Sequence, residues 1–253
     1  MSAQPLTKTN ELIDSLNVLR STGCYADPNT FAWRQLKRDC EKLLAVDAAS
    51  GWAVMGMLYA TTGDIAEVNA CFNRALKLSR ELTFLLNWCS SLSALGCYTQ
   101  ALDILVEVLQ PENGEFKTGV LTGMEIGAFK MINDQLKRAR EMGLDISAMP
   151  EGLISEAAAI MESAGLSDKD VVSHMEAAGA VLRAHKAFDV LAGDIVTSNI
   201  AGGLTGITMV LRVVGTPSEV FQLNKALARK ERELDISKSP AFDVLIASAH
   251  EYA

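Results

Sequence analysis

The chain is poor in the residues that build most active sites. Three histidines occur in 253 residues. His174 and His185 stand eleven positions apart, about three helical turns, so they share a face but cannot ligate one metal ion. Glu176 lies near His174, but no H-E-x-x-H spacing is present. His250 falls at the end of the chain and is expected on the surface. The cysteines are odd in number, and no two are spaced as C-x-x-C. Structural zinc needs paired ligands at short spacing. Cys24, Cys40, Cys71, Cys89 and Cys97 are therefore expected as small buried hydrophobes in a reducing compartment.

Long apolar runs are missing too. The most apolar window, Gly202 to Gly215, contains Arg212 and falls short of the roughly 18 residues of a membrane helix. The opening MSAQPLTKTNELIDSL lacks the basic start and apolar run of a secretory signal. These features predict a soluble, cytoplasmic chain without a membrane contact. Positive charge is also scarce: the net charge is −8, spread without an acidic tail or a basic domain. Nucleic-acid binding needs a basic face to displace counterions, so none is expected. The run from Ala228 to Glu233 alternates in sign and predicts a solvated helix face with pairs such as Arg229 with Glu233. Lys130, Lys137, Arg138 and Arg140 form a second small cluster of the same kind.

Catalytic motifs are absent. No G-x-S-x-G elbow occurs. The stretch Gly202-Gly203-Leu204-Thr205-Gly206 lacks the Gly-Lys-Ser/Thr of a phosphate loop and leads toward a strand, so it predicts a hairpin turn. No catalytic residue, metal ligand or cofactor site is assigned, and the chain is expected to be no enzyme.

What is present is a repeat. Hydrophobic residues make up 49% of the chain, enough for a core and too many for disorder. In residues 52–76, WAVMGMLYATTGDIAEVNACFNRAL, Trp52, Met55, Gly56 and Tyr59 lie at helical spacing on one face. Gly63 supplies a left-handed helix end, Asp64 an N-cap, and Val68, Phe72 and Ala75 the inner face of a second helix. A shift of 33 residues carries Gly63 onto Gly96, Val68 onto Ala101, Phe72 onto Leu105 and Ala75 onto Val108. In this second copy the first helix presents Leu85, Cys89 and Leu92, and Pro111 stops the second.

These units resemble tetratricopeptide repeats, whose helix–turn–helix signature runs Trp-Leu-Gly-Tyr-Gly-Ala-Phe-Ala. Trp52, Gly56, Tyr59, Gly63, Phe72 and Ala75 match it. Met55 and Val68 depart conservatively, and Leu85 and Leu92 replace the Trp and Tyr of the second copy. The resemblance covers about residues 49–111. Upstream, a helix over 10–22 ends at Gly23. Asp27-Pro28 is expected to open its partner, with Phe31, Leu36, Cys40 and Leu43 or Leu44 as the apolar stripe. Downstream, Gly119 to Gly143 predicts a further pair with Ile132, Leu136 and Ala139 inward, although KTGVLTGMEIGAF is a poor helix by propensity. Pro150-Glu151 starts a helix to Ser163 with Leu153, Ala157 and Ile160 inward. Ser167 and Asp170 form a capping box for a helix that contains Val171, Val172, Met175, Ala178, Val181 and Leu182 and ends near Lys186.

After about residue 188 the period changes. Residues 206–215, GITMVLRVVG, and 242–247 predict strands. Residues 194–197 add a third, and Thr216-Pro217 opens a helix through Glu233. The expected fold is mainly α: a tetratricopeptide-like α-solenoid of antiparallel helix pairs over 1–188, with a small β-β-α-β module over 189–253 packed on the last solenoid helices.

In the family the first helix of each unit lines a groove for a peptide or partner helix. The resemblance places Ala53, Met57, Ala60, Thr61, Leu86, Asn87, Ser90 and Ala94 there. Members that clamp a terminal carboxylate use Lys, Asn and Arg at such positions; here Ala53 and Met57 stand instead, and only Asn87 fits. The surface suits an apolar segment of another protein. Met57 and Leu86 are read equally well as residues buried by a neighbouring helix or a dimer mate. Three functions follow: a non-catalytic adaptor, chaperone or neutralising module; a self-associating protein forming a homodimer; and an enzyme or ligand sensor with its site between solenoid and C-terminal module, near Gly202-Gly203.

Overall fold

Ten helices precede any strand in the computed structural model, which describes residues 5–190, 193–200 and 204–249. They are α1 (Pro5–Arg20), α2 (Phe31–Val46), α3 (Ala48–Ala60), α4 (Ile65–Leu78), α5 (Leu82–Ala94), α6 (Tyr98–Val108), α7 (Phe116–Ile126), α8 (Phe129–Glu141), α9 (Glu151–Ser163) and α10 (Asp168–Ala184). Then come β1 (Asp194–Ile200), β2 (Leu204–Val213), α11 (Pro217–Glu233) and β3 (Phe242–Ser248).

From α1 to α8 each helix packs on the next. The odd helices also pack on one another in order, α1 on α3, α3 on α5 and α5 on α7. The turns inside the four pairs close on Gly23, Gly63, Gly96 and Gly127, with φ of 77°, 79°, 68° and 89°. At these angles a Cβ is strongly disfavoured. The Asp64 side chain caps α4 through the Glu67 N–H at 3.1 Å, as its position predicts. Gly56 lets α3 meet α4: a Cβ there would lie 2.8 Å from the Phe72 ring. That ring stacks on Trp88 of α5, with centroids 6.0 Å apart, and Trp88 Nε1 donates to Asn69 at 2.8 Å. Helix α7 forms in spite of its glycines because they are packing positions. A Cβ on Gly123 would meet Ile132 and Leu105 at 2.9–3.0 Å.

Helix α10 does not extend the row of pairs; it crosses their turns. Val171 lies against Gly127, and Gly179 lies so close to Gly96 that a Cβ on Gly179 would stand 2.1 Å from the Gly96 carbonyl oxygen. Beyond the helix, Tyr25 donates its N–H to the Lys186 carbonyl at 2.9 Å, and Phe188 donates to that of Gly23 at 2.9 Å. The charges of α10 complete helix ends that lack caps of their own. Asp168 accepts from the Lys130 and Met131 N–H groups at the start of α8, both at 2.9 Å. Glu176 accepts from Thr99 N–H near the start of α6 at 3.0 Å. Arg183 donates to the carbonyls of Leu95 and Gly96 just past α5. Each sign opposes the helix dipole it meets.

The sheet has order β1-β2-β3. β1 and β2 are antiparallel, from Asp194 opposite Val210 to Ile200 opposite Leu204. β2 and β3 are parallel, from Ile207 opposite Phe242 to Val213 opposite Ser248, as the β-β-α-β reading requires. Ile207, Met209, Leu211, Phe242, Val244 and Ile246 are buried and join an apolar core that runs without a break from α3 to the sheet. Asn224 of α11 covers the outer edge of β3, donating to the Ile246 carbonyl at 2.7 Å and accepting its N–H at 3.1 Å. The sheet packs on α9 and α10, and the C-terminal region also reaches the first turn, where Gly23 abuts Val214 and Val190.

Several local expectations change. Asp27-Pro28 precedes α2 instead of opening it. Asp27 Oδ1 accepts the Asn29 N–H, and Thr30 is the N-cap. Phe31 is therefore exposed, and Trp33 takes the buried position, with Nε1 donating to Thr61 Oγ1 at 3.2 Å. Ile154 replaces Leu153 as the inward residue of α9. Cys24 is exposed and the other four cysteines are buried. Gly202 and Gly203 lie outside the described residues.

Candidate functional site

A polar space lies where the C-terminal ends of α1, α5 and α7 approach the chain beyond α10. A cavity of about 190 Å³ is lined by Arg20 from α1, Ser90, Ser93 and Ala94 from α5, Tyr98 from α6, Glu125 from α7, and Asp189 and Val190. Residues 186–188 are tied to the first turn by the bonds described above. Asp189 is fixed from the other side, where its Oδ1 accepts the Arg212 N–H at 3.0 Å. Val190 donates to the Arg212 carbonyl at 2.9 Å.

The electrostatics of this space are unusual. Burial raises the Glu125 carboxyl to about 7; the Arg20 charge opposes the shift and the Asp189 charge adds to it. Burial lowers the Arg20 guanidinium against the pull of Glu125 and Asp189. Tyr98 is 3% exposed, and burial pushes its hydroxyl well above the ordinary phenol value, with Asp189 and Glu125 adding to the shift. Neither the Tyr98 hydroxyl nor the Glu125 carboxyl is a buried orphan: among the described residues the buried side-chain oxygen without a hydrogen-bond partner is Gln135 Oε1.

A second polar cluster lies under the sheet. His174 Nδ1 is 2.8 Å from Glu231 Oε1, and Lys238 Nζ is 2.7 Å from Glu231 Oε2. His174 and Glu231 are 3% and 2% exposed, and the imidazole lies 5.5 Å from the Phe242 ring. Burial pushes the Glu231 carboxyl up, but hydrogen bonds from Lys238 and His174 outweigh it and hold it below the usual range. The charge run on α11 is thus not solvated throughout. Glu231 is core, and the pair that forms beside it is Lys230 with Glu233. This arrangement fastens α10 to α11. A larger crevice of about 630 Å³ beside Leu78, Arg80 and Glu107 is more open and gathers no comparable set.

The eight residues expected to face a groove divide in two. Ala53, Ala60, Thr61 and Leu86 are buried, which removes them from contact with a ligand. The Thr61 hydroxyl accepts from Trp33 and donates to the Leu58 carbonyl at 2.7 Å, and its carbonyl accepts the Ala26 N–H at 2.8 Å. Thr61 therefore fixes a turn. Met57, Asn87, Ser90 and Ala94 are half-buried, and Ser90 and Ala94 line the cavity. Sequence reasoning missed Arg20, Tyr98, Glu125 and Asp189. Glu125 carries one signal: an acid one position before a buried apolar residue, Ile126, in a glycine-rich helix. Asp189 carries none, because only the fold brings it to α5. Leu121, one turn before Glu125 on the same face of α7, is 45% exposed.

No group of His, Cys, Asp and Glu able to hold a metal ion is found among the described residues. No helix among them is long and apolar enough to cross a membrane. No family model, no curated protein and no solved structure matches this chain.

Proposed function

We propose that the protein is a non-catalytic protein-binding module. In this reading α1 to α8 are tetratricopeptide-like helix pairs, and α10 braces their turns. The supporting observation is the composite surface around Glu125. Residues from α1, α5, α6 and α7 surround one polar cavity, with Leu121 exposed and Met57, Asn87, Ser90 and Ala94 half-buried on the helices of that row. Exposed apolar surface such as Leu121 beside a polar cavity offers a partner segment area from the first and orientation from the second. The bracing by α10 supports the same reading, since a rigid surface orders less on binding.

Leu121→Arg tests this, with Val106→Arg as the control; Val106 is 56% exposed on α6. The tagged chain is expected to retain a discrete protein that Leu121→Arg loses and Val106→Arg keeps. Equal retention by both variants sinks the reading. Self-association is the second reading, and the outer edge of β1, which pairs with no strand among the described residues, supports it together with Val196, 49% exposed. Light scattering that gives a dimer broken by Val196→Lys favours that reading instead. The third reading, an enzyme or ligand sensor, rests on the same cavity, which adjoins Asp189 at the start of the C-terminal module.

A further inference from the structure

We infer that the outer edge of β1 pairs with β1 of a second copy of this chain, antiparallel and centred on Thr197, so that two three-stranded sheets join into one. The inference rests on the self-association reading and names the strand, the register and the symmetry through which it acts.

The first observation is the direction of the backbone groups. The Arg212 N–H goes to Asp189 Oδ1 at 3.0 Å, and its carbonyl accepts from Val190 at 2.9 Å. Arg212 and its alternates along β2 therefore turn toward the β1 side. Ile207 turns the other way, donating to the Ala241 carbonyl at 2.9 Å. Val210 lies opposite Asp194 and Thr208 opposite Val196, so Asp194, Val196, Ser198 and Ile200 direct their N–H and C=O groups to β2. Ile195, Thr197 and Asn199 direct theirs outward, where β1 meets no strand among the described residues.

The second observation is that this edge carries none of the devices that keep edges apart. Asn224 covers the far edge of the sheet through its bonds to Ile246. β1, DIVTSNI, holds no Lys, Arg, Pro or Gly, and its register with β2 runs from Asp194 to Ile200 without a bulge. Its one charge, Asp194, is engaged by Arg212 at 2.6 Å. Edges that stay single are blunted by charge, proline, bulges or a covering element. Here Val196 and Ser198 are exposed in a run that favours strand.

The third is self-complementarity. Antiparallel pairing about Thr197 sets Thr197 opposite its own copy, Ile195 opposite Asn199 and Val196 opposite Ser198. The outward groups of both copies then meet as hydrogen-bonded pairs, about six bonds in all by the alternation of the ladder. Asp194 falls opposite Ile200, so no like charges face each other along the strands. Parallel pairing in register would set Asp194 beside its copy. One two-fold axis closes the assembly as a dimer. Glu156, which accepts from Thr197 Oγ1 at 3.1 Å, brings one carboxylate from each copy toward that axis and opposes the pairing. The seven residues of β1 compare with roughly 20–30 a side in a standard interface, so the dimer is a weak one, in the micromolar range.

Sedimentation of the full chain from micromolar to millimolar concentration tests this and is expected to give a monomer–dimer equilibrium. Thr197→Ala keeps the outward N–H and is expected to dimerise close to wild type. Thr197→Pro removes that donor from each copy and is expected to weaken the dimer about tenfold or more; proline is tolerated where an edge N–H faces solvent. Both variants lose the bond to Glu156 equally. Glu156→Gln is expected to tighten the dimer several-fold. Cross-linking reads the register without touching the core. In a Cys24→Ser background, Val196→Cys mixed with Ser198→Cys is expected to form a disulfide-linked dimer, because directly opposite Cα atoms lie about 4.5 Å apart. Neither variant alone is expected to do so, since like positions stand diagonally at roughly 7–8 Å. A monomer at every concentration overturns the inference and the self-association reading together. A dimer that Thr197→Pro leaves intact, or in which the mixed cysteines do not join, overturns the β1 pairing and leaves self-association standing through another surface.

Discussion

Replacing Gly179 by alanine separates the close crossing of α10 from ordinary helix chemistry. Gly179 is a mid-helix residue of α10, and there glycine costs about 1 kcal/mol relative to alanine. On propensity alone Gly179→Ala stabilises the chain. The new Cβ, however, would stand 2.1 Å from the Gly96 carbonyl oxygen and 2.6 Å from its Cα. Both are backbone atoms, held by the left-handed turn between α5 and α6 and by the bonds from Arg183. No rotamer change relieves the clash. Overpacking of this kind costs roughly 1–3 kcal/mol, and more where backbone must shift. A cost near 3 less a gain near 1 leaves a net loss of about 2 kcal/mol, which lowers Tm by roughly 4–8 °C in a chain of this size. Gly152 on α9 is the control: a Cβ there meets nothing within 4 Å, so Gly152→Ala is expected to raise Tm by about 1–4 °C. Differential scanning fluorimetry with matched calorimetry reads both. A Gly179→Ala variant that gains stability as Gly152→Ala does would refute the packing of α10 against the Gly96 turn.

Three further predictions follow from the buried charges and thiols. The Glu125 carboxyl titrates near 7 in the folded chain against 4.5 as its ordinary value. The folded chain thus keeps a proton that the unfolded chain loses, and stability from this group falls as pH rises from about 4.5 to 7, by at most about 1.4 kcal/mol per pH unit. Urea unfolding across that range is expected to show Glu125→Gln gaining on wild type as pH rises; parallel curves would contradict it. Glu231→Gln is expected to cost roughly 1–3 kcal/mol through its bonds to His174 and Lys238. Because that carboxyl is held below its usual range, its contribution is present at neutral pH and lost as pH falls through the lowered value. The variant should therefore lose less stability on acidification than wild type, and an unchanged acid transition counts against the pairing. Thiol labelling of the native chain is expected to give one fast equivalent, at Cys24, because burial pushes Cys40 and Cys89 up to about 12 and Cys71 to about 11. Two or more fast equivalents would show that the helix pairs open.

The helical order and the strand–helix–strand ending were legible because they rest on local signals. The bounds of α11, from Pro217 to Glu233, follow from Thr216 as N-cap and proline in the first turn. Gly63 and Gly96 announce turns that need positive φ. Exposure within a helix was less legible. Thr61 and Leu86 satisfy the spacing of a surface face, yet neighbouring elements bury them, and helical period cannot count how many neighbours a helix acquires. Glu231 misled for the converse reason: in an alternating run it resembles a solvated acid, and its partners His174 and Lys238 come from another helix and from a loop. The cavity was least legible. Arg20, Tyr98, Glu125 and Asp189 span most of the chain, and they meet only because α10 folds back across the turns and returns residues 186–190 to the beginning. Glycine offered the one hint of that path, since Gly179 sits in a helix interior where propensity argues against it.

The central claim is that the Leu121 and Glu125 face is the surface that meets a partner. A photoreactive benzoylphenylalanine placed at Leu121, and for comparison at Val106, tests it directly in the cell that makes the protein. The account predicts a discrete adduct with a second protein from position 121, diminished by Glu125→Gln and absent from position 106. No adduct beyond that at 106, or an adduct with another copy of this chain alone, would contradict it.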